Sequence, residues 1–167
     1  TQTVTGPNVA SLGRIAMSQN GDANSATVTQ NGIATDSAFD VGTPSLAVYT
    51  NQVGSSNQLT ATQSGTDDVA FIDQIGAGNV TTVHQLASGS ENFVDSDQTG
   101  DLGLSEITQS GSQNRALLSQ GGYDNESVIT QSGSMNIADV TQSGTAAIST
   151  ITQAGTNNTA TVSQGGN

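Results

Sequence analysis

The sequence predicts an all-β chain, a two-sheet β-solenoid of about seven 22-residue coils in which strand, arc, strand and arc follow one another. Three observations predict it. Glutamine recurs on an 11-residue grid, at thirteen of fourteen grid positions. Between glutamines the favoured residues fall at alternate positions and are bounded by glycine-containing turns, which is the signature of a strand. The third strand position then separates two kinds of strand, which doubles the repeat. It is Ala26, Val48, Ala70, Val94, Ala116, Ala138 and Ala160 in one set, and Ile15, Ser37, Leu59, Thr81, Ser105, Ser127 and Ser149 in the other.

Fourteen strands are expected. The first, 13–19, ends in Gln19, and the second, 24–30, opens on Asn24 and ends in Gln30. The third, 35–41, has Val41 where the grid expects glutamine. Strand 46–52 ends in Gln52, 57–63 runs from Asn57 to Gln63, 68–74 ends in Gln74, and 79–85 runs from Asn79 to Gln85. The longer turn Leu86–Glu91 shifts the grid by two residues. It resumes with 92–98 (Asn92, Gln98), 103–109 (Gln109), 114–120 (Asn114, Gln120) and 125–131 (Asn125, Gln131). Strands 136–142 (Asn136, Gln142), 147–153 (Gln153) and 158–164 (Asn158, Gln164) complete the set. Paired, these give coils at about 13–34, 35–56, 57–78, 79–102, 103–124, 125–146 and 147–164. An N-terminal segment 1–12 and a tail 165–167 lie outside.

Two residues after most glutamines stands a glycine: Gly21, Gly32, Gly54, Gly65, Gly76, Gly100, Gly111, Gly122, Gly133, Gly144 and Gly155. These are expected to turn the arcs, since glycine reaches positive φ without penalty. In a solenoid each residue lies over its counterpart one coil away, about 4.8 Å along the axis. Stacked amides donate to one neighbour and accept from the other, so a row of buried Gln or Asn stays satisfied. A lone buried glutamine would instead cost roughly 1–3 kcal/mol. Segment 1–12 is expected to cover one end weakly and 165–167 to leave the other open. Open coils stacking head-to-tail build a cross-β fibre, because a heterologous contact that does not close propagates.

Composition narrows the function. The chain has no lysine, and its only arginines are Arg14 and Arg115 against a net charge of −12, so no basic patch exists to neutralise nucleic-acid phosphates. Zero cysteines remove disulfides and thiolate sites, and no apolar run approaches a membrane span. His84 is the single histidine, so no histidine-based catalytic or metal constellation is expected; neither catalysis nor a cofactor is anticipated. The acidic residues serve solubility rather than calcium binding. Eight of the fourteen lie within 67–106: Asp67, Asp68, Asp73, Glu91, Asp95, Asp97, Asp101 and Glu106. They are expected to act as gatekeepers that slow premature aggregation. An ice-binding array would need a regular threonine face. Thr27/Thr29, Thr60/Thr62 and Thr150/Thr152 supply fragments, and Asp95, Glu106 and Asp139 are expected to interrupt the same rows.

The repeat resembles the curlin repeat, S-x5-Q-x-G-x-x-N-x-A-x3-Q, of the subunits of curli, the functional amyloid fibres of bacterial biofilms. The closest copies are Gln19-x-Gly21-x-x-Asn24-x-Ala26-x3-Gln30, Gln109-x-Gly111-x-x-Asn114-x-Ala116-x3-Gln120, Gln131-x-Gly133-x-x-Asn136-x-Ala138-x3-Gln142 and Gln153-x-Gly155-x-x-Asn158-x-Ala160-x3-Gln164. The resemblance implies a secreted β-solenoid subunit that polymerises with itself at the bacterial cell surface, serving biofilm matrix, adhesion and cell aggregation. Its implied partners are a nucleator subunit, an outer-membrane secretion pore and chaperones. A major subunit is expected ahead of a nucleator or minor one, with a soluble ice- or ligand-binding solenoid as the other alternative.

Overall fold

A computed structural model of the chain describes residues 2–5, 14–31, 47–86 and 88–166. No helix occurs among them. Fourteen strands follow in order: β1 (Gln2–Thr5), β2 (Arg14–Asn20), β3 (Ser25–Gln30), β4 (Ala47–Ser55), β5 (Gln58–Gln63), β6 (Val69–Ala77) and β7 (Val80–Gln85). Then come β8 (Phe93–Gln98), β9 (Leu104–Ser112), β10 (Arg115–Tyr123), β11 (Glu126–Ser134), β12 (Ile137–Thr145), β13 (Ile148–Thr156) and β14 (Thr159–Gly165). Successive strands alternate between two sheets. The first sheet has the order β1-β3-β5-β7-β9-β11-β13, and the second β2-β4-β6-β8-β10-β12-β14. Every pairing is parallel and in register; Ala116 lies beside Ala138, for example, and Gln120 beside Gln142. The molecule is the expected two-sheet β-solenoid, with five coils from β4 to β13 spaced by 22 or 24 residues.

Alternation decides the core. Inward residues of both sheets interleave small and branched side chains: Ala70 and Ile72, Val83, Val94, Ile107, Ala116 and Leu118, Ile129, Ala138 and Val140 are all buried. Buried polar residues flank this apolar strip on both sides, glutamine where each strand ends and asparagine where it begins. The apolar strip is thin, so the amides close the core.

The N-terminal part departs from the expected pairing. β2 lies directly on β4 and β3 on β5, with Gln19 beside Gln52 and Gln30 beside Gln63, offsets of 33 residues. The strand expected at 35–41 and the glycine expected to turn at Gly32 lie outside the described residues. Because 33 is an odd multiple of 11, the first two expected strands change sheets. Ile15 stacks on Val48, and Ala26 on Leu59. The physical reason is the column itself. Val41 can neither donate nor accept, so pairing Gln30 with Gln63 preserves a hydrogen bond that a strand ending in Val41 would break. Gln2–Thr5, expected to lie outside the repeats, instead forms a short parallel strand against β3.

The sheet assignment also corrects the threonine rows. Thr27/Thr29, Thr60/Thr62 and Thr150/Thr152 all lie in the first sheet, together with Thr82, Thr108 and Thr130. Asp95 and Asp139 belong to the second sheet. Only Glu106, of the three acids expected to interrupt these rows, does so.

Candidate functional site: the stacked amide columns

Each strand from β2 to β14 delivers a glutamine to the edge of the core, at or near the point where the chain turns into an arc. In the second sheet Gln19 donates to Gln52, Gln52 to Gln74, Gln74 to Gln98, Gln98 to Gln120, Gln120 to Gln142 and Gln142 to Gln164. In the first, Gln30 donates to Gln63, Gln63 to Gln85, Gln85 to Gln109, Gln109 to Gln131 and Gln131 to Gln153. Beyond the first step of the second sheet, these Nε2–Oε1 distances are 2.7–3.1 Å. All run the same way, from the earlier coil to the later.

The remaining Nε2 hydrogen crosses the core to a main-chain carbonyl of the facing sheet. Gln63 donates to Ala47 at 3.0 Å, Gln109 to Phe93 at 3.0 Å, Gln131 to Arg115 at 3.0 Å and Gln153 to Ile137 at 2.9 Å. One side chain therefore ties its own coil to the next and one sheet to the other. From Gln52 to Gln142 the column glutamines are 2% exposed or less, so their bonds form away from competing water.

Asparagines build a second pair of columns on the other side of the apolar strip. Asn24 Oδ1 accepts the Asn57 N–H, Asn57 accepts that of Asn79, Asn79 that of Gly103, and Asn125 that of Ala147, at 2.8–3.0 Å. In the second sheet Asn92, Asn114 and Asn136 accept the main-chain N–H of Asn114, Asn136 and Asn158, each at 3.1 Å. Their Nδ2 groups reach arc carbonyls one coil on: Asn79 to Gly100 at 2.7 Å, Asn92 to Gly111 at 2.8 Å, and Asn114 and Asn136 to Gly133 and Gly155 at 3.1 Å.

The arc glycines meet two demands. Gly21, Gly54, Gly76, Gly111, Gly122, Gly133, Gly144 and Gly155 have φ of 91–127°. Most also stack so closely that a Cβ on Gly133 would lie 2.0 Å from the Gly155 carbonyl oxygen. Gly65 and Gly100 do not have positive φ, which corrects the expectation for them. There close approach alone requires glycine: a Cβ on Gly100 would lie 1.9 Å from Gly122 O.

One set of functional backbone positions carries no residue-type signal. Ala23, Ser56, Asp67, Glu91, Leu102, Gln113, Asp124, Met135, Ala146 and Asn157 all adopt left-handed φ of 54–59°. Left-handed backbone costs roughly 1–2 kcal/mol at a non-glycine residue. From Ser56 on, Asp67 aside, the turn aims the N–H along the solenoid axis; Met135 donates to Ser112 O at 3.0 Å, and Asp124 to Asp101 O at 2.9 Å. A bond between arcs offsets the strain, whichever side chain stands there.

The acidic residues are dispersed in role. Asp101 accepts the Ala77 N–H at 2.8 Å, and Glu91 accepts from Gln113 Nε2 at 2.8 Å. Asp73 lies beside Asp97 and Phe71 beside Asp95 on the outer face of the second sheet. Burial raises the Asp73 carboxyl above its ordinary value, the Asp95 charge adds to this, and the Asn51 side chain opposes it. Burial raises Asp97 as well, with the charges of Asp95 and Asp73 adding to it. Asp67 and Asp68 sit before β6, where Asp68 is fully buried. Glu106 is exposed on the first sheet. On the second sheet's outer face Tyr49 stacks on Phe71 at 5.0 Å, Phe93 tilts against Phe71 at 5.9 Å, and Arg14 and Arg115 lie over Tyr49 and Phe93. Among the described residues no group of three or more His, Cys, Asp and Glu side chains comes together to hold a metal.

The chemistry of this arrangement is repetition, each coil presenting the donors and acceptors that the next one needs. Residues 104–133 and 114–144 match the family model of the curlin associated repeat. No curated protein and no solved structure matches the chain significantly. Those two matched stretches span β9 to β12, where both glutamine columns and the second sheet's asparagine column run without a break, and over residues 104–144 the chain is similar to the curlin associated repeat.

Proposed function

We propose that the chain is a self-assembling structural subunit of an extracellular, curli-like amyloid fibre at the bacterial cell surface. The observation that carries this reading is the direction of the glutamine columns, in which every Nε2 donates toward the later coil. A column of this kind has a donor end and an acceptor end. In the second sheet, where β2 and β14 are the end strands, a second copy placed end to end continues the column with the same geometry that joins coils within one copy, and adds backbone ladder bonds at the same step. The role is mechanical rather than catalytic. A nucleator subunit, a secretion pore and chaperones are the partners that the curlin likeness brings with it, and biofilm matrix and adhesion are the roles. The persistence of the glutamine columns to the final coil favours a major subunit.

The test is to dilute denatured chain into buffer without partners, follow thioflavin fluorescence, and image the product by cryo-electron microscopy. Unbranched filaments with an axial repeat of about 4.8 Å, whose fragments abolish the lag of fresh protein, are the expected outcome. A folded monomer that persists at high concentration and ignores seeds would sink the reading.

A further inference from the structure

Asp68 stands immediately before β6, at the place that Asn92, Asn114, Asn136 and Asn158 hold before β8, β10, β12 and β14. Half of its side chain does what asparagine does there. Oδ1 accepts the Asn92 N–H at 3.0 Å and Asn92 Nδ2 at 3.1 Å. The other half differs. At the next coil Asn92 Nδ2 and Gly111 O lie 2.4 and 2.7 Å from the point where a Cβ on Gly89 would sit, and they are hydrogen-bonded at 2.8 Å. At the equivalent point beside Gly65, Asp68 Oδ2 lies at 2.3 Å and Gly89 O at 2.6 Å. Two acceptors thus occupy positions that donor and acceptor hold one coil later. Asp68 is 0% exposed, and no hydrogen bond of ordinary geometry reaches Oδ2.

We propose that Asp68 is protonated in the folded solenoid, its Oδ2–H donating to the Gly89 carbonyl in place of an asparagine Nδ2, so that forming this coil takes up a proton. A carboxylic acid has the size of the amide it replaces and supplies the missing donor; a carboxylate would bury charge with one oxygen unpaired. Among the described residues no cation faces Asp68; Arg14 and Arg115 lie over Tyr49 and Phe93 on the outer face of the second sheet. Asp67 is adjacent, and Glu91 on the next arc is engaged with Gln113. Gln63 from the facing sheet donates to the Asp68 main-chain carbonyl, not to its side chain. Asp73, Asp95, Asp97 and Tyr49 lie on the outer face of β4, β6 and β8, and His84 on the outer face of β7. Burial raises the Asp68 carboxyl above its ordinary 3.8; the Asn92 and Gly65 backbone and the Asn92 side chain oppose this, and the Asp67 charge adds to it.

The sign follows. A carboxyl raised by folding contributes its full stabilisation below its unfolded value, and loses it as pH rises through its folded value. Acid therefore favours this coil, the reverse of the behaviour of a carboxylate held in an ion pair. The inference concerns folding of the coil and does not depend on fibre formation.

The experiment compares urea midpoints of the full-length chain and its Asp68→Asn and Asp68→Ala variants from about pH 4 to about pH 8. Between the unfolded and folded values, the folded-to-unfolded ratio of the wild type should fall relative to Asp68→Asn by about tenfold per pH unit. Asp68→Ala should be weaker than Asp68→Asn throughout and should lack the slope. Refolding in weak buffer at about pH 5, just above the unfolded value of an aspartate, should take up more protons in the wild type than in Asp68→Asn. Parallel pH profiles for wild type and Asp68→Asn, or equal proton uptake, would overturn the proposal. The comparison can be read on monomer or filament, so a chain that forms no filaments refutes the fibre reading and leaves this one intact.

Discussion

The coils from β10 onward and those from β4 to β9 are built on one plan and differ in how completely they satisfy it. The later coils repeat at 22 residues, and in the second sheet Asn114, Asn136 and Asn158 stack without substitution, while in the first Ala147 follows Asn125. In the earlier stretch the spacing widens to 24 between Gln74 and Gln98 and between Gln85 and Gln109. An aspartate stands at the head of an asparagine column, and Asp73 faces Asp97 across neighbouring strands. Among the described residues, the buried side-chain polar atoms without a partner are Thr50 Oγ1, Asp68 Oδ2, Ser96 Oγ and Ser105 Oγ. All four belong to the earlier stretch. A solenoid sums local coil stabilities and neighbour contacts, so this difference makes the later coils the strong part of the molecule and the middle its weak part.

The sharpest way to break that contrast is to remove an amide from the strong part. Gln131 donates to Gln153, Arg115 O and Asn136 O and accepts from Gln109. Gln131→Ala leaves several buried groups unpaired and should cost about 4 kcal/mol, read as a lower urea midpoint. Gln98→Ala, in the weak part, should cost less. Gly133→Ala comes next. Its Cβ would press on the Gly155 carbonyl at a φ of 99°, and separating the two coils should cost about 3 kcal/mol. Hydrogen exchange should show the loss confined to the arcs beside Gly133. The smallest effect is expected from Asp73→Asn with Asp97→Asn. Relief of like-charge repulsion between outward side chains is worth roughly 0.5 kcal/mol after solvent screening. Because both carboxyls are raised, the gain should be present at neutral pH, shrink as pH falls and the acids protonate, and shrink again in high salt. A shorter polymerisation lag for this double variant at neutral pH would support the gatekeeper role of these acids, and an unchanged lag would remove it.

The two-sheet solenoid was legible in the chain because its signal is redundant. Glutamine on an 11-residue grid, alternation within each unit and two kinds of third position all require the same stacked strands. Candidate columns were legible for the same reason, since spacing alone puts the glutamines in rows. What lay beyond the sequence was which row stacks on which. Any multiple of 11 keeps glutamine over glutamine, and an odd multiple also exchanges the sheets; the 33-residue steps from Gln19 to Gln52 and from Gln30 to Gln63 were decided by partners in space. That exchange also separated Asp95 and Asp139 from the threonine face. The left-handed arc residues were invisible because a main-chain N–H does the work there, and side chains as different as Leu102 and Asp124 leave it unchanged. Asp68 reads as a charge in a polar turn. Only its position over Asn92, sealed from water, gives it the place of an amide, because burial and the geometry of its neighbours, not residue type, set which atoms must carry a proton.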